Sequence, residues 1–156
     1  MTPNVAPIQV NATLSIKEVR FISFQLTDYA KSNKEIIPTE KFEFELNLQT
    51  GLDEKEKLLS FNLSGKLFAK NENIKYQLAE LKSLTTFFIL NFDEVAVRNP
   101  PQMVGMPNAI MNVCCSIAIS TLRGMYAVQL QPTIYSNAIV PVIDPSLLLP
   151  RPFPAL

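Results

Sequence analysis

Apolar and polar residues alternate with a period of two over much of the first two thirds of the chain, the spacing that puts successive side chains on opposite faces of a β-strand. Between Lys41 and Gln49, Phe42, Phe44, Leu46 and Leu48 face one way while Lys41, Glu43, Glu45, Asn47 and Gln49 face the other. Further on, Leu59, Phe61, Leu63 and Leu67 oppose Ser60, Asn62, Ser64 and Lys66. The intervening TGLDEKEK supplies charge and a glycine, so the two runs predict a hairpin. Upstream, Ser15 to Leu26 carries Val19, Phe21, Phe24 and Leu26, with a change of phase near Ser23 that a bulge explains. Downstream, Asn71 to Asn73 marks a turn into Ile74, Tyr76 and Leu78, then a more continuous apolar run through Phe87, Phe88, Ile89 and Phe92. Four such strands in series predict an antiparallel sheet with one wet face and one dry.

The dry face needs a cover, and the segment from Pro107 to Arg123 is the long helical candidate. Pro107 suits a first helical position, Arg123 the negative end of the helix dipole, and Gly124 a left-handed closing residue. Asn108, Asn112, Ser116 and Ser120 recur every four positions and line one side, while Ile110, Val113, Cys114, Ile117 and Leu122 occupy the rest. Met103 to Leu122 is uncharged and long enough to cross a bilayer, but two asparagines facing lipid would be costly, so the reading is a packed helix without membrane insertion. Before it, DEVAVRNPPQMVGM is held extended by Pro100 and Pro101; after it, Tyr126 to Val142 reads as extended, and DPSLLLPRPFPAL holds too many prolines for a stable helix. The expected architecture is α+β, a four-stranded antiparallel sheet with one long helix packed on one face. A flexible N-terminal arm over 1–13, a single domain over 14–149 and a Pro-rich tail over 150–156 complete the expected layout.

Charge sharpens this picture, because from Asn99 onward the charged residues are Arg123, Asp144 and Arg151. So much uncharged surface must be buried or used for binding. The 14 basic and 14 acidic residues balance, which leaves no overall field to draw nucleic acid. Histidine is absent, which excludes Cys/His zinc sites and triads that need a His base. Phosphate-loop and nucleophile-elbow motifs are also missing. Glu43 and Glu45 put two carboxylates on one strand face about 7 Å apart, a spacing that superficially suits acid and base work, but alternating exposed glutamates read as a solvated surface. No catalysis, cofactor or metal is expected. Cys114 and Cys115 are neighbours that point about 100° apart on a helix, so they read as free, buried thiols of a reducing, cytoplasmic protein. The first residues, MTPNVAPIQVNAT, lack the basic start and apolar core of a secretion signal.

Several short motifs then fall into one order: VRFISFQL and the four alternating strands, Pro107-Asn108 opening the helix, Arg123-Gly124 closing it, and a Gln-rich apolar stretch ending in Pro141-Val142. Over Ser15 to Leu149 this arrangement resembles the SecB family of export chaperones. The resemblance implies a cytoplasmic tetramer, a dimer of dimers, that holds unfolded precursor polypeptides for export without ATP and passes them to the SecA motor. It also implies client binding in apolar grooves beside the loop between the fourth strand and the helix, at Phe88, Phe92, Val95, Val97, Met103, Val104 and Met106, joined by Met125 and Tyr126. Departures from the family are visible too. Its second helix would fall where Ser146 to Leu149 allow barely a turn. Of the acids that contact SecA, Glu80 stands at a matching position while Phe21 and Gln25 stand at others, and the family's polar SecA-binding tail has no counterpart. These departures support an alternative, a SecB-fold interaction protein dedicated to one partner such as an antitoxin or an envelope component.

Overall fold

A computed structural model describes residues 11–99 and 103–150 of the chain. Most of the N-terminal arm, Pro100, Pro101 and residues 151–156 of the tail thus lie outside the described residues. Four long strands form the predicted sheet: β1 (Leu14–Leu26), β2 (Phe42–Asp53), β3 (Leu58–Asn71) and β4 (Ile74–Ile89). All neighbours are antiparallel, in the order β1-β4-β3-β2. Strands β2, β3 and β4 form a meander, and β1 crosses back to lie on the far side of β4.

The period-two reading gives the correct faces. Phe44 pairs Leu67 and Leu48 pairs Leu63, and across the next ladder Leu59 meets Phe87 and Leu63 meets Ser83, so one face collects the apolar residues of three strands. Phe61, Leu63, Leu67, Leu81 and Ile89 on that face are fully buried. The phase change in β1 is a register shift between Phe21 and Ser23, and a second shift between Ile16 and Glu18 adds another. The β2–β3 strands run further into TGLDEKEK than the pattern suggests, pairing out to Asp53 and Leu58. There the Asp53 carboxylate accepts the Glu56 N–H at 2.9 Å and Lys57 takes a positive φ of 56° to turn the chain.

After α1 (Asp28–Ser32), whose N-cap Thr27 accepts the Ala30 N–H, the crossover runs to β2 along the end of the sheet. It is tied down from the opposite end of the chain: the Tyr135 hydroxyl donates to the Ala30 carbonyl at 3.2 Å and the Asn137 amide to the Ile37 carbonyl at 3.1 Å. Beyond β4 come α2 (Phe92–Val95), a small hairpin of β5 (Val97–Asn99) and β6 (Met103–Gly105), and the covering helix α3 (Asn108–Leu130). The loop expected to be extended thus begins with a helical turn before its two short strands. At the other end of the described residues, Asn11 and Thr13 are held by Asn91, so residues 11–13 are pinned beside the end of β4.

Helix α3 lies on the apolar face over β3 and β4 and keeps Asn108, Ser116 and Ser120 exposed, as the polar stripe requires. Three expectations about its end are corrected. Gly124 does not close the helix, and Tyr126 to Leu130 is not extended: the helix runs on to Leu130, because Leu122, Tyr126 and Leu130 continue the buried stripe at four-residue spacing. That packing outweighs the roughly 1 kcal/mol a mid-helix glycine costs. Arg123 does not cap a helix end either; its Nε donates to the Val140 carbonyl at 3.1 Å and so ties down the returning chain. From Gln131 to Asp144 the chain is turn and coil with no strand, and the segment after it makes a single tight turn over Pro145–Leu147. Val113, placed by pattern on the packed side of α3, is 52 % exposed.

Candidate functional site

Residues of the β4–α3 connection fold in two directions. Phe92 and Val95 turn inward from α2 and are buried, Phe92 completely, which plugs the end of the core below β4. The β5–β6 hairpin turns outward and is bridged to the β2–β3 turn: Arg98 meets Glu54 at 2.5 Å and Asp93 at 3.7 Å, and Asp93 meets Lys57 at 3.2 Å. These ion pairs are exposed and individually weak, but as a network they fix the direction in which the hairpin leaves the core.

Between the hairpin, the first turns of α3 and the end of β2 lies a cavity of about 240 Å³. Its floor is Leu52 and Leu59, its walls are Val104, Gly105 and Met106 on one side and Asn108 and Met111 on another, and Leu149 and Pro150 close it from the chain's end. Thr50 and Gly51 of β2 form its rim. Because β2 is an edge strand of the four-stranded sheet, backbone groups on its outer side are not paired by another strand of that sheet. An apolar cavity beside an open strand edge fits an extended polypeptide, with backbone pairing along the edge and a side chain in the cavity. Among the described residues no ionisable side chain lines it.

Of the groove residues expected from sequence, Val104 and Met106 line this cavity. Val97 is exposed on the adjacent hairpin, and the Met103 side chain lies outside the described residues. Phe92, Val95 and Tyr126 are core residues instead. Phe88 sits on the other face of the sheet, opposite in phase to the buried Phe87, and Met125 lies about 20 Å from Met111 along the same helix at ~1.5 Å per residue. Sequence reasoning missed Leu52, Leu59, Met111 and Leu149. Met111 had a signal in the run of methionines that includes Met103 and Met106. Leu52 and Leu149 were hidden in segments read only as a charged loop and a proline-rich end.

The middle of the sheet's outer face is polar, around Asn47, Asn62, Ser64, Lys66, Glu80 and Lys82. Glu80, the expected SecA contact, is half-buried there, accepts the Ser64 hydroxyl at 2.9 Å and lies 4.0 Å from Lys82 Nζ. Glu43 and Glu45 are both committed to Lys75, at 2.7 and 3.0 Å, and Lys70 adds a second contact to Glu43 at 3.2 Å. Hydrogen bonds donated by Lys75 and then Lys70 hold the Glu43 carboxyl below its usual range, and donating to Glu43 and Glu45 raises Lys75. This is a solvated ion cluster, and a carboxylate kept ionised by two lysines is poorly placed to act as an acid. Cys114 and Cys115 are both free and buried, and burial pushes each thiol up to about 11. Among the described residues no cluster of His, Cys, Asp or Glu could hold a metal ion.

A four-stranded antiparallel sheet carrying one long helix on one face places the chain in the SecB-like α+β fold class. It is similar to the solved structure of the Mycobacterium tuberculosis Rv1957 SecB-like chaperone in complex with a ChAD peptide from the Rv1956 HigA1 antitoxin, with a TM-score of 0.51 over 84 % of this chain and 86 % of that one. Identity over the match is 8 %, so the likeness is one of fold. No family model matches the sequence, and no curated protein matches it either.

Proposed function

We propose that this protein is a SecB-fold chaperone or binding protein that acts without catalysis, holding an extended, apolar segment of one dedicated partner. The observation that carries the reading is the cavity at the β2 edge. It has room for about one large side chain, since an apolar cavity of ~150 Å³ already takes benzene, and it lies against a strand edge able to fix the partner's register. A similar fold solved with an antitoxin peptide bound supports a peptide ligand. A broad holdase for unfolded export precursors is the second reading, favoured by the methionines in the cavity wall, which repack around varied side chains.

Capture from a cytosolic extract with the tagged full chain, followed by mass spectrometry, separates the two. One stoichiometric polypeptide, lost when Met111→Glu puts a charge in the cavity, is the expected result. Many unrelated precursors would instead select the general holdase, and the capture of SecA, lost in Glu80→Gln, would add export delivery. A cytoplasmic location is proposed as well, on the two free buried thiols.

A second copy of the chain is proposed as a further partner. On the helix-facing side of β1, Ile16, Val19 and Phe21 are 52, 44 and 44 % exposed because α3 covers β3 and β4 and leaves this first part of the edge strand open. A copy laid against this shelf and against Val113 of α3 would bury it. The expected solution mass is that of a dimer or tetramer, and Phe21→Glu should lower it; a monomeric wild-type chain would discard this assembly.

A further inference from the structure

Arg20 and Arg98 each meet a carboxylate, but Arg123 does not. Its Nε donates to the Val140 carbonyl at 3.1 Å, and among the described residues the N–H groups on its Nη1 and Nη2 make no hydrogen bond. The guanidinium is half-buried between α3 and the returning chain, in the part of the sequence poorest in charge. Asp144, the other charged residue described after Asn99, is already bonded to Ser146. A half-buried cation is screened less than one at the surface, and its planar fork offers a bidentate, charge-assisted contact to any carboxylate that reaches it.

Beside Arg123 lies another cavity, of about 310 Å³. Arg123, Gln131 and Ser136 supply its polar groups, and Ala127, Ile139 and Val140 its apolar wall. The turn that builds it is fixed from within. The Thr133 N–H bonds to the Leu130 carbonyl at the end of α3, and the Ala138 N–H to the Tyr135 carbonyl. Tyr135 and Asn137 anchor this turn to the crossover after α1, which leaves Ser136 between them exposed. Gly124 also lines the cavity, and no atom of the described residues lies within 4 Å of a Cβ built there, so that side stays open. A site formed before its ligand arrives avoids the ordering cost of binding.

From this geometry we infer that the cavity receives the C-terminal residue of a partner polypeptide. Its α-carboxylate meets the Arg123 guanidinium, its apolar side chain lies against Ala127, Ile139 and Val140, and its backbone N–H donates to the Gln131 or Ser136 side chain. The chemistry of the lining selects this occupant. A terminal residue carries a carboxylate and an apolar side chain on one Cα, the juxtaposition the cavity presents, whereas an aspartate or glutamate side chain brings the charge without the apolar group. A free amino acid would bring an ammonium group, and among the described residues no carboxylate lines the cavity to receive it. A simple carboxylic acid would leave the Gln131 and Ser136 groups unused. The volume exceeds the ~150 Å³ that takes benzene and suits one such residue with its amide. Capture of a terminal carboxylate is a recurring mode of peptide recognition. The carboxylate site stands on the geometry; its assignment to a polypeptide rests on the peptide-binding reading above.

Amide NMR titrations of the full chain test it with N-acetyl-leucine, N-acetyl-leucinamide and isocaproate as probes. N-acetyl-leucine should shift the Gly124, Ser136 and Ala138 signals saturably, with a Kd in the millimolar range for so small a ligand, and leave Met106 and Met111 unmoved. The leucinamide has the same side chain without the charge and should bind roughly tenfold more weakly. Arg123→Gln, which keeps a donor for the Val140 carbonyl, should abolish that difference, and a difference that persists in the variant counts against the site. Equal binding of acid and amide by the wild-type chain, or saturable shifts from neither, overturns it without recourse to a variant. Shifts confined to Met106 and Met111 also overturn it, because they put the probe in the cavity at the β2 edge. Isocaproate binding as tightly as N-acetyl-leucine overturns the polypeptide terminus in favour of a free carboxylic acid. In the capture experiment Arg123→Gln should weaken retention of the partner roughly 3- to 10-fold. Retention unchanged in Arg123→Gln but lost in Met111→Glu overturns the assignment to the partner's terminus and leaves the peptide-binding reading standing. A chain that captures no polypeptide discards that reading, while the titrations still decide the carboxylate site.

Discussion

Tyr126 shows how much one side chain can depend on contacts made elsewhere in the chain. Its hydroxyl donates to the Gly65 carbonyl at 2.7 Å, and its ring meets Phe24 of β1 and Phe44 of β2 edge-on, so it joins α3 to three strands. The ring reaches the sheet because Gly65 has no Cβ; one added there would lie 3.1 Å from Leu122, Leu46 and Tyr126. Gly65→Ala should therefore cost about 1–3 kcal/mol through overpacking, and Phe61→Ala about 3–5 kcal/mol through loss of a fully buried ring, both measured by urea unfolding. Thr85→Val should behave oppositely. Among the described residues the buried Thr85 hydroxyl has no hydrogen-bond partner, so removing it should leave stability unchanged or raise it by about 1 kcal/mol, and a clear loss would show that the hydroxyl is bonded. Because burial raises both thiols to about 11, Cys114 and Cys115 should resist alkylation at pH 8 until the chain is unfolded. The Glu43–Lys75 cluster has a definite pH sign. Glu43 is depressed, so its contribution is present above the ordinary carboxylate range and is lost as pH falls through the lowered value. Lys75 is raised, so its contribution is present below the ordinary lysine range and is lost as pH rises through the raised value. An NMR titration should find Glu43 returning toward its usual range in Lys75→Met.

At the scale of elements, α3 is where local signals and packing disagree. Arg123-Gly124 has the composition of a helix stop, yet the helix passes through it, and no atom of the described residues lies within 4 Å of a Cβ built on Gly124. Gly124→Ala should accordingly stabilise the fold by about 0.5–1 kcal/mol, read by thermal or urea unfolding; if Gly124 were a left-handed cap the same change would destabilise it. In the strands the local signal was sufficient. Period two placed Phe42, Phe44, Leu46 and Leu48 on one face, and the register of β2 against β3 keeps them there because a one-residue slip would turn the whole set to solvent. The β4–α3 connection lies between these cases. Its apolar residues were legible as a group, but the split into core residues, Phe92 and Val95, and cavity residues, Val104 and Met106, was not. All four are apolar residues near turns. What separates them is whether α2 points them under β4 or the ion-paired hairpin carries them past β2.

For the whole molecule, the arrangement of the described residues puts an apolar cavity at the β2 edge and the shelf of Ile16, Val19 and Phe21 on β1 at opposite edges of one sheet. The proposed partner segment and the proposed second copy would therefore not compete, and Phe21→Glu should reduce the mass of the proposed assembly while leaving the proposed peptide binding at the β2 edge intact. The sequence by itself determined what short-range physics can determine. Side-chain period set the faces of the strands, the polar stripe of α3 set its exposed side, and the lack of histidine closed whole classes of chemistry. Tertiary structure alone decided that β1 lies beside β4, that Tyr126 is a core tie, and that Leu52, Met111 and Leu149, drawn from three distant parts of the chain, share one cavity. The reason is physical: burying an apolar side chain is non-directional and scales with area, so its local pattern shows that it will be buried but not by which partner.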